Sequence, residues 1–239
     1  MAIITNTISY MDGDTVLEAF FAFDDAITGR RPAVLISHMW DGRGEFVAEK
    51  AKKLAELGYL GFALDMYGKG ILGTSPEQNM QLMQPFMKDR AMLRQRISAA
   101  LSAIKLLPWT DDNKIAAIGF CFGGLCVLDL ARTGADIKGV VSFHGLLDMA
   151  KNLPTQAVKA KVLVLHGQDD PMVSPQQVST FQDEMTHAGA DWQIHSYGHT
   201  MHAFTNPLAD NPDAGAFYQA DADRRSWSAM QNFLTEIFN

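Results

Sequence analysis

Apolar and polar positions alternate at the start of the chain with the two-residue period of β structure. The segments ITNTIS and VLEAFFAF, separated by MDGD, predict a hairpin closed by a glycine-containing turn. PAVLISH, residues 32 to 38, is a continuous apolar run of the kind a sheet buries on both faces. A polar, glycine-bearing loop, MWDGRG, leads into EFVAEKAKKLAEL, where Phe46, Ala51, Leu54 and Leu57 give a helical stripe that Gly58 ends. YLGFALD, residues 59 to 65, is the next buried strand. From Glu77 to Leu107 the pattern is helical, with a break or a fresh helix start expected at Pro85.

The alternation then repeats. NKIAAIGF predicts a strand, CFGGLCVLDLAR a helix, and DIKGVVSFH and AKVLVLHG two further strands. SPQQVSTFQDEMTHAG follows as helix, ADWQIHSYG as strand and ADRRSWSAMQNFLTEIF as the last helix. These separations suit right-handed crossovers, so the expectation is one α/β domain over residues 1–239, a mostly parallel sheet with helices on both faces. Ligands of such sheets bind beyond the carboxyl ends of the strands. Two long irregular connections, HGLLDMAKNLPTQAV and TNPLADNPDAGAFYQA, start at that edge.

Composition narrows the function classes. With 239 residues, 47% hydrophobic and 20% charged, the chain can fill a sizeable core and is not a disordered sequence. A formal net charge of -7 gives no electrostatic basis for nucleic acid or an anionic membrane as partner. The start, MAIITNTISYMDGD, lacks the basic and apolar regions of a secretory signal, and no apolar run has the length of a membrane span; a cytoplasmic location is expected. The two cysteines, Cys121 and Cys126, fall five positions apart on one predicted helix, poorly placed for a disulfide and without a CxxC spacing.

Cys121 lies in GFCFGG, directly after a strand, with Gly119 two positions before it and Gly123 two after. A sharp strand-to-helix turn needs small residues at both places and presents its central side chain above the sheet. The helix start would favour the thiolate and leave the Phe122 N–H to hold an oxyanion. Cys126, among Leu125, Val127 and Leu128, reads as core packing. There is no phosphate-binding GxxxxGK[ST] or GxGxxG run.

An acyl-transfer site on an α/β-hydrolase scaffold needs an acid and then a histidine later in the chain, each after a strand. VLVLHGQDDP offers Asp169 and Asp170, and IHSYGHTMHAF offers His199 and His202; Asp170 and His202 are the preferred pair. His195 falls within a strand and His187 late in a helix, positions of packing or surface. His38, His144 and His166 all lie at strand ends but form no local ligand pair, so no metal is expected, and no organic cofactor. His38 and His144 are read instead as pocket lining or loop ties.

Together GFCFGG, LHGQDDPMVSP, YGHTMHAF and FYQADADRRSWSAMQNFL, with PAVLISHMWDG and ELGYLGFALDMYGKG earlier, resemble the dienelactone hydrolase family across nearly the whole chain. The resemblance implies an α/β-hydrolase fold with Cys121 as nucleophile, His202 as base and Asp170 as its partner. It also implies oxyanion donors at the Phe122 and Trp40 backbone. It departs from the family at Met39, where a glutamate is common, and at Asn206 and Gln78, where arginines grip a substrate carboxylate in the dienelactone enzymes. Arg90, Arg94 and Arg96 read as the charged face of a helix. The implied activity is hydrolysis of a small ester or lactone through an acyl-cysteine, in a pocket contributed by Met39, Phe143 and Leu146. The competing class is a non-enzymatic ligand-binding or redox-sensitive thiol module on the same scaffold.

Overall fold

A computed structural model describes residues 2–239. The chain is an α/β protein whose strands pair mostly in parallel, and it divides into two compact units at Ile118/Gly119.

In the first unit, β1 (Ile3–Asp12) and β2 (Thr15–Asp24) form the expected antiparallel hairpin, with Gly13 in its turn at φ 55°. β3 (Arg31–Ser37) and β4 (Leu60–Ala63) pair in parallel, Ala33 opposite Leu60, and β2 joins β4 antiparallel. Helix α1 (Glu45–Glu56) buries Val47, Ala48, Ala51, Leu54 and Ala55. Ala51 and Leu54 of the predicted stripe lie on that face, whereas Phe46 is half-buried and Leu57 is exposed. The helix lies so close to β4 that a Cβ on Gly61 would come within 2.5 Å of the Ala51 carbonyl oxygen.

The interruption expected at Pro85 falls instead at Asp89. Pro85 lies within α2 (Pro76–Lys88), and Asp89 caps α3 (Arg90–Lys105), its carboxylate accepting from the N–H groups of Ala91 and Met92. A cap that satisfies two N–H groups starts a helix more firmly than a proline near the end of the preceding one stops it. The arginines of α3 are not a solvated face either. Arg90 and Arg96 are buried, and Arg96 Nε pairs with Asp12 Oδ2 at 2.6 Å while its Nη1 donates to the Met66 carbonyl. Strand β5 (Thr110–Phe120) begins three residues earlier than the apolar pattern indicated and contains the division between the units.

In the second unit, α4 (Phe122–Arg132) precedes three parallel strands in the order β6 (Gly139–Phe143), β7 (Lys161–Gly167) and β8 (Trp192–Tyr197). Strands β6 and β7 are mostly apolar, interrupted by Ser142, Lys161 and His166, and almost wholly buried, as parallel strands covered on both faces must be. α5 (Pro175–His187) starts at a capping box made by Ser174 and Gln177, and α6 (Ala220–Phe238) buries Met230, Phe233 and Leu234. The long connection after His202 is not irregular. It folds into a two-stranded ribbon, β9 (Asp210–Asn211) and β10 (Ala216–Phe217), joined by a 3₁₀ turn at Pro212–Ala214.

Candidate active site

The turn from β5 into α4 places Cys121 at the helix N-cap with φ 54° and ψ −116°. A non-glycine residue held there stores on the order of 1–3 kcal/mol of backbone strain and persists only where its surroundings enforce it. Two glycines allow the turn. A Cβ on Gly119 would stand 2.0 Å from the Gly123 carbonyl oxygen, and one on Gly124 would meet Ser142 Oγ at 2.6 Å and Gly145 Cα at 2.7 Å. The first close approach is within the turn; the second sets α4 against the end of β6. The Cys121 N–H is shared between the Phe143 carbonyl at 3.0 Å and His144 Nδ1 at 3.2 Å. Cys121 is partly exposed, whereas Cys126 is fully buried among apolar neighbours. The Phe122 N–H belongs to the first turn of α4, at the positive end of the helix dipole.

Asp170 follows β7 in a tight turn, and its side chain is completely buried. One carboxylate oxygen accepts from the Met172 N–H at 2.8 Å and the other meets His202 Nδ1 at 2.8 Å. The main chain of His202 is held on both sides: its N–H donates to the Gly215 carbonyl at 2.9 Å and its carbonyl accepts from the Phe217 N–H at 3.0 Å. Gly215, at φ 73°, presses on Pro171, where a Cβ would come within 2.1 Å of the ring. That contact ties the ribbon bonded to His202 to the turn carrying Asp170.

His202 Nε2 is buried and makes no well-angled hydrogen bond. Burial alone would push the imidazole's pKa down. The charge and contact of the Cys121 sulfur, with the Asp170 carboxylate on the other nitrogen, outweigh it and push the pKa up to about 10. The three side chains thus act on one another within the second unit. His166 is buried beside them; its pKa is lowered by burial and by His202, with Asp170 opposing.

The other sequence candidates have different places. Asp169 and His199 are exposed and 3.9 Å apart. The Phe143 ring is fully buried, stacked on Phe120 with centroids 4.6 Å apart, so it is core of this unit; Leu146 is half-buried. Asn206 closes its own turn, its side chain accepting from the Leu208 N–H, and Gln78 caps the start of α2 against Thr74. In the first unit, Met39 is buried, and the Trp40 carbonyl accepts from Tyr67 Oη at 2.9 Å. His38, wholly buried and with its pKa lowered by that burial, donates from Nδ1 to the Met39 carbonyl and accepts at Nε2 from the Met66 N–H. Among the described residues, no group of three or more His, Cys, Asp or Glu is placed to hold a metal ion, and no helix is long and apolar enough to cross a membrane.

Sequence reasoning missed the ribbon that holds His202. Its readable signal was Gly215 after NPDA, a glycine where the chain needs a left-handed residue.

Comparison with known proteins gives this arrangement a context. The family model described as dienelactone hydrolase family matches residues 17–238. A Caenorhabditis elegans protein of uncharacterized function is 42% identical over 149 residues, spanning 61% of this chain and 94% of that one. A Yersinia pestis protein provisionally named carboxymethylenebutenolidase is 27% identical over 231 residues, 92% of this chain and 84% of its own. The crystal structure of a dienelactone hydrolase-like promiscuous phosphotriesterase from metagenomic libraries is 38% identical, covers 100% of both chains and superposes with a TM-score of 0.93.

Proposed function

The chain belongs to the dienelactone hydrolase family, a family of α/β hydrolases, and from that membership we propose that it hydrolyses a small carboxylic ester or lactone through an acyl-cysteine. The observation that carries the reading is the imidazole of His202, held between the buried Asp170 carboxylate and the Cys121 sulfur with its pKa raised to about 10.

The roles follow from charge. At neutral pH the raised pKa keeps His202 protonated, and in this proposal the attacking sulfur is a thiolate beside it, so attack needs no proton removed at the moment it occurs. The sulfur adds to the acyl carbon and a C–S bond forms. The developing oxyanion is met by the Phe122 N–H. As the C–O bond breaks, the His202 proton passes to the leaving alkoxide. The acylated sulfur no longer carries charge, so the main influence raising the pKa of His202 is gone. The neutral ring then serves as general base for water, whose oxygen displaces the thiolate and releases the acid. Asp170 keeps Nδ1 protonated and Nε2 directed at the reacting atoms throughout.

Met39 cannot accept a proton from the thiol, so the imidazole rather than a neighbouring carboxylate is the group that activates Cys121 in this proposal. Asn206, engaged in its own turn, offers no bidentate grip on an anionic substrate, which favours uncharged acyl groups.

Mass spectrometry of the protein with activated esters and lactones tests the proposal, with an activated phosphotriester in the same panel. The expected result is a carboxylic acyl adduct on Cys121, trapped longer in a His202→Ala variant. No adduct from any carboxylic ester, together with selective reversible oxidation of Cys121, would replace the esterase reading with that of a thiol module.

A further inference from the structure

A second histidine stands directly behind the proposed nucleophile and takes no part in the chemistry above. His144 directly follows β6 as Cys121 directly follows β5, and it too is held at a positive φ, 38°. Its backbone N–H donates to the Leu165 carbonyl at the end of β7, and its ring is completely buried. Gly145 after it is wedged against α4, where a Cβ would meet Gly124 Cα at 2.8 Å. Non-glycine residues seldom enter this region, and histidine is among the few that enter it more readily.

The ring accounts for the choice. Its Nδ1 faces the Cys121 N–H at 3.2 Å, and its Nε2 lies 2.8 Å from Thr205 Oγ1. A backbone N–H can only donate, so Nδ1 carries the lone pair and the ring's proton is on Nε2, donated to the threonine. Thr205 is three residues beyond His202 in the same loop. The ring also meets His202 edge-on, with centroids 5.2 Å apart, and Phe204 at 5.1 Å. One side chain therefore touches the main chain of the nucleophile and the loop of the base.

We propose that His144 is a positioning residue that holds the strained Cys121 backbone and the His202 loop in mutual register through its two ring nitrogens. The proposal rests on the reading of Cys121 as nucleophile. Loss of a ring contact shifts the sulfur relative to the imidazole without removing either, so it acts on the rate of acylation more than on substrate affinity. A misplacement of about 1 Å can reduce a rate by about 100-fold.

Four variants separate this from a merely structural role. His144→Gly suits the backbone and removes both contacts; His144→Asn also tolerates a left-handed φ and sets its amide oxygen near the place of Nδ1. Thr205→Val removes only the second contact. For His144→Gly we expect kcat per titrated active site to fall by about 10- to 100-fold with KM within about 3-fold, and alkylation of Cys121 by iodoacetamide to slow in parallel. His144→Asn recovers most of both rates, and Thr205→Val loses about 3- to 10-fold in kcat. If His144→Gly matches the wild type per active site, or if Asn performs no better than Gly, the assignment is wrong. Should the His144 variants not fold, Thr205→Val decides alone, an unchanged kcat overturning the proposal. Cys121→Ala, run alongside, marks the other failure: full hydrolysis in that variant removes the nucleophile, whatever the His144 variants do.

Discussion

Two acid–histidine pairs sit side by side in the second unit. Asp169 with His199 and Asp170 with His202 come from the same two loops, one acid next to the other and the histidines three residues apart. The outer pair is 3.9 Å apart with the histidine fully exposed; the inner pair is 2.8 Å apart with side chains 3% and 0% exposed. Water screens the first, and the long side-chain excursions it permits weaken it further. The second has no water to fall back on, so each partner depends on the other and the ring responds strongly to a neighbouring sulfur. Identical residue types thus make a surface feature in one register and a tuned acid–base pair in the next. Burial makes the difference.

The sharpest way to break the inner pair is Asp170→Asn. It leaves the shape but allows the wrong ring tautomer, so kcat for an activated ester should fall by about 10³- to 10⁴-fold, read by steady-state hydrolysis. Gly215→Ala attacks the same pair from the main chain. A methyl group there collides with Pro171 at a left-handed φ, so the ribbon must shift and carry His202 with it. We expect a loss of about 10- to 100-fold in kcat, with a lowered melting temperature in a thermal scan.

A change of pH probes the inner pair without mutation. The folded-state pKa of His202 is raised above its unfolded value, so the stability it contributes is fully present below about 6.5 and is lost as pH rises through about 10. Urea midpoints should decline over that window. In Cys121→Ala the sulfur's charge is gone, the folded pKa drops, and the decline should be smaller and finish at lower pH. Identical pH dependence in the two proteins would show that the sulfur does not hold the proton. The smallest effect belongs to the outer pair: Asp169→Asn and His199→Ala should leave kcat/KM within about 2-fold of the wild type, since exposed pairs contribute little.

Much of this was readable in the linear pattern, because apolar runs such as VLVLHG and the glycines around Cys121 report local demands that no distant residue can alter. The parallel strands, the turn into α4 and the loops after β7 and β8 all came from such signals. Local demands also explain the errors. Asp89 overrides Pro85 because a side-chain oxygen can satisfy two N–H groups, and the helical stripe through Phe46, Ala51, Leu54 and Leu57, right at Ala51 and Leu54, misses that Val47, Ala48 and Ala55 are the other buried apolar positions. Arg96 reads as a surface residue until Asp12, eighty-four positions away, is seen beside it. The link from His144 to Cys121 and Thr205 is of the same kind: nothing in SFHG foretells which loops will close around its ring.

The ribbon beside His202 holds that residue by main-chain hydrogen bonds alone, through Gly215 and Phe217. Phe217 on that ribbon and Leu208 just before it are exposed, 42% and 89% respectively. Changes in such exposed side chains leave intact the main-chain bonds that fix where the imidazole stands.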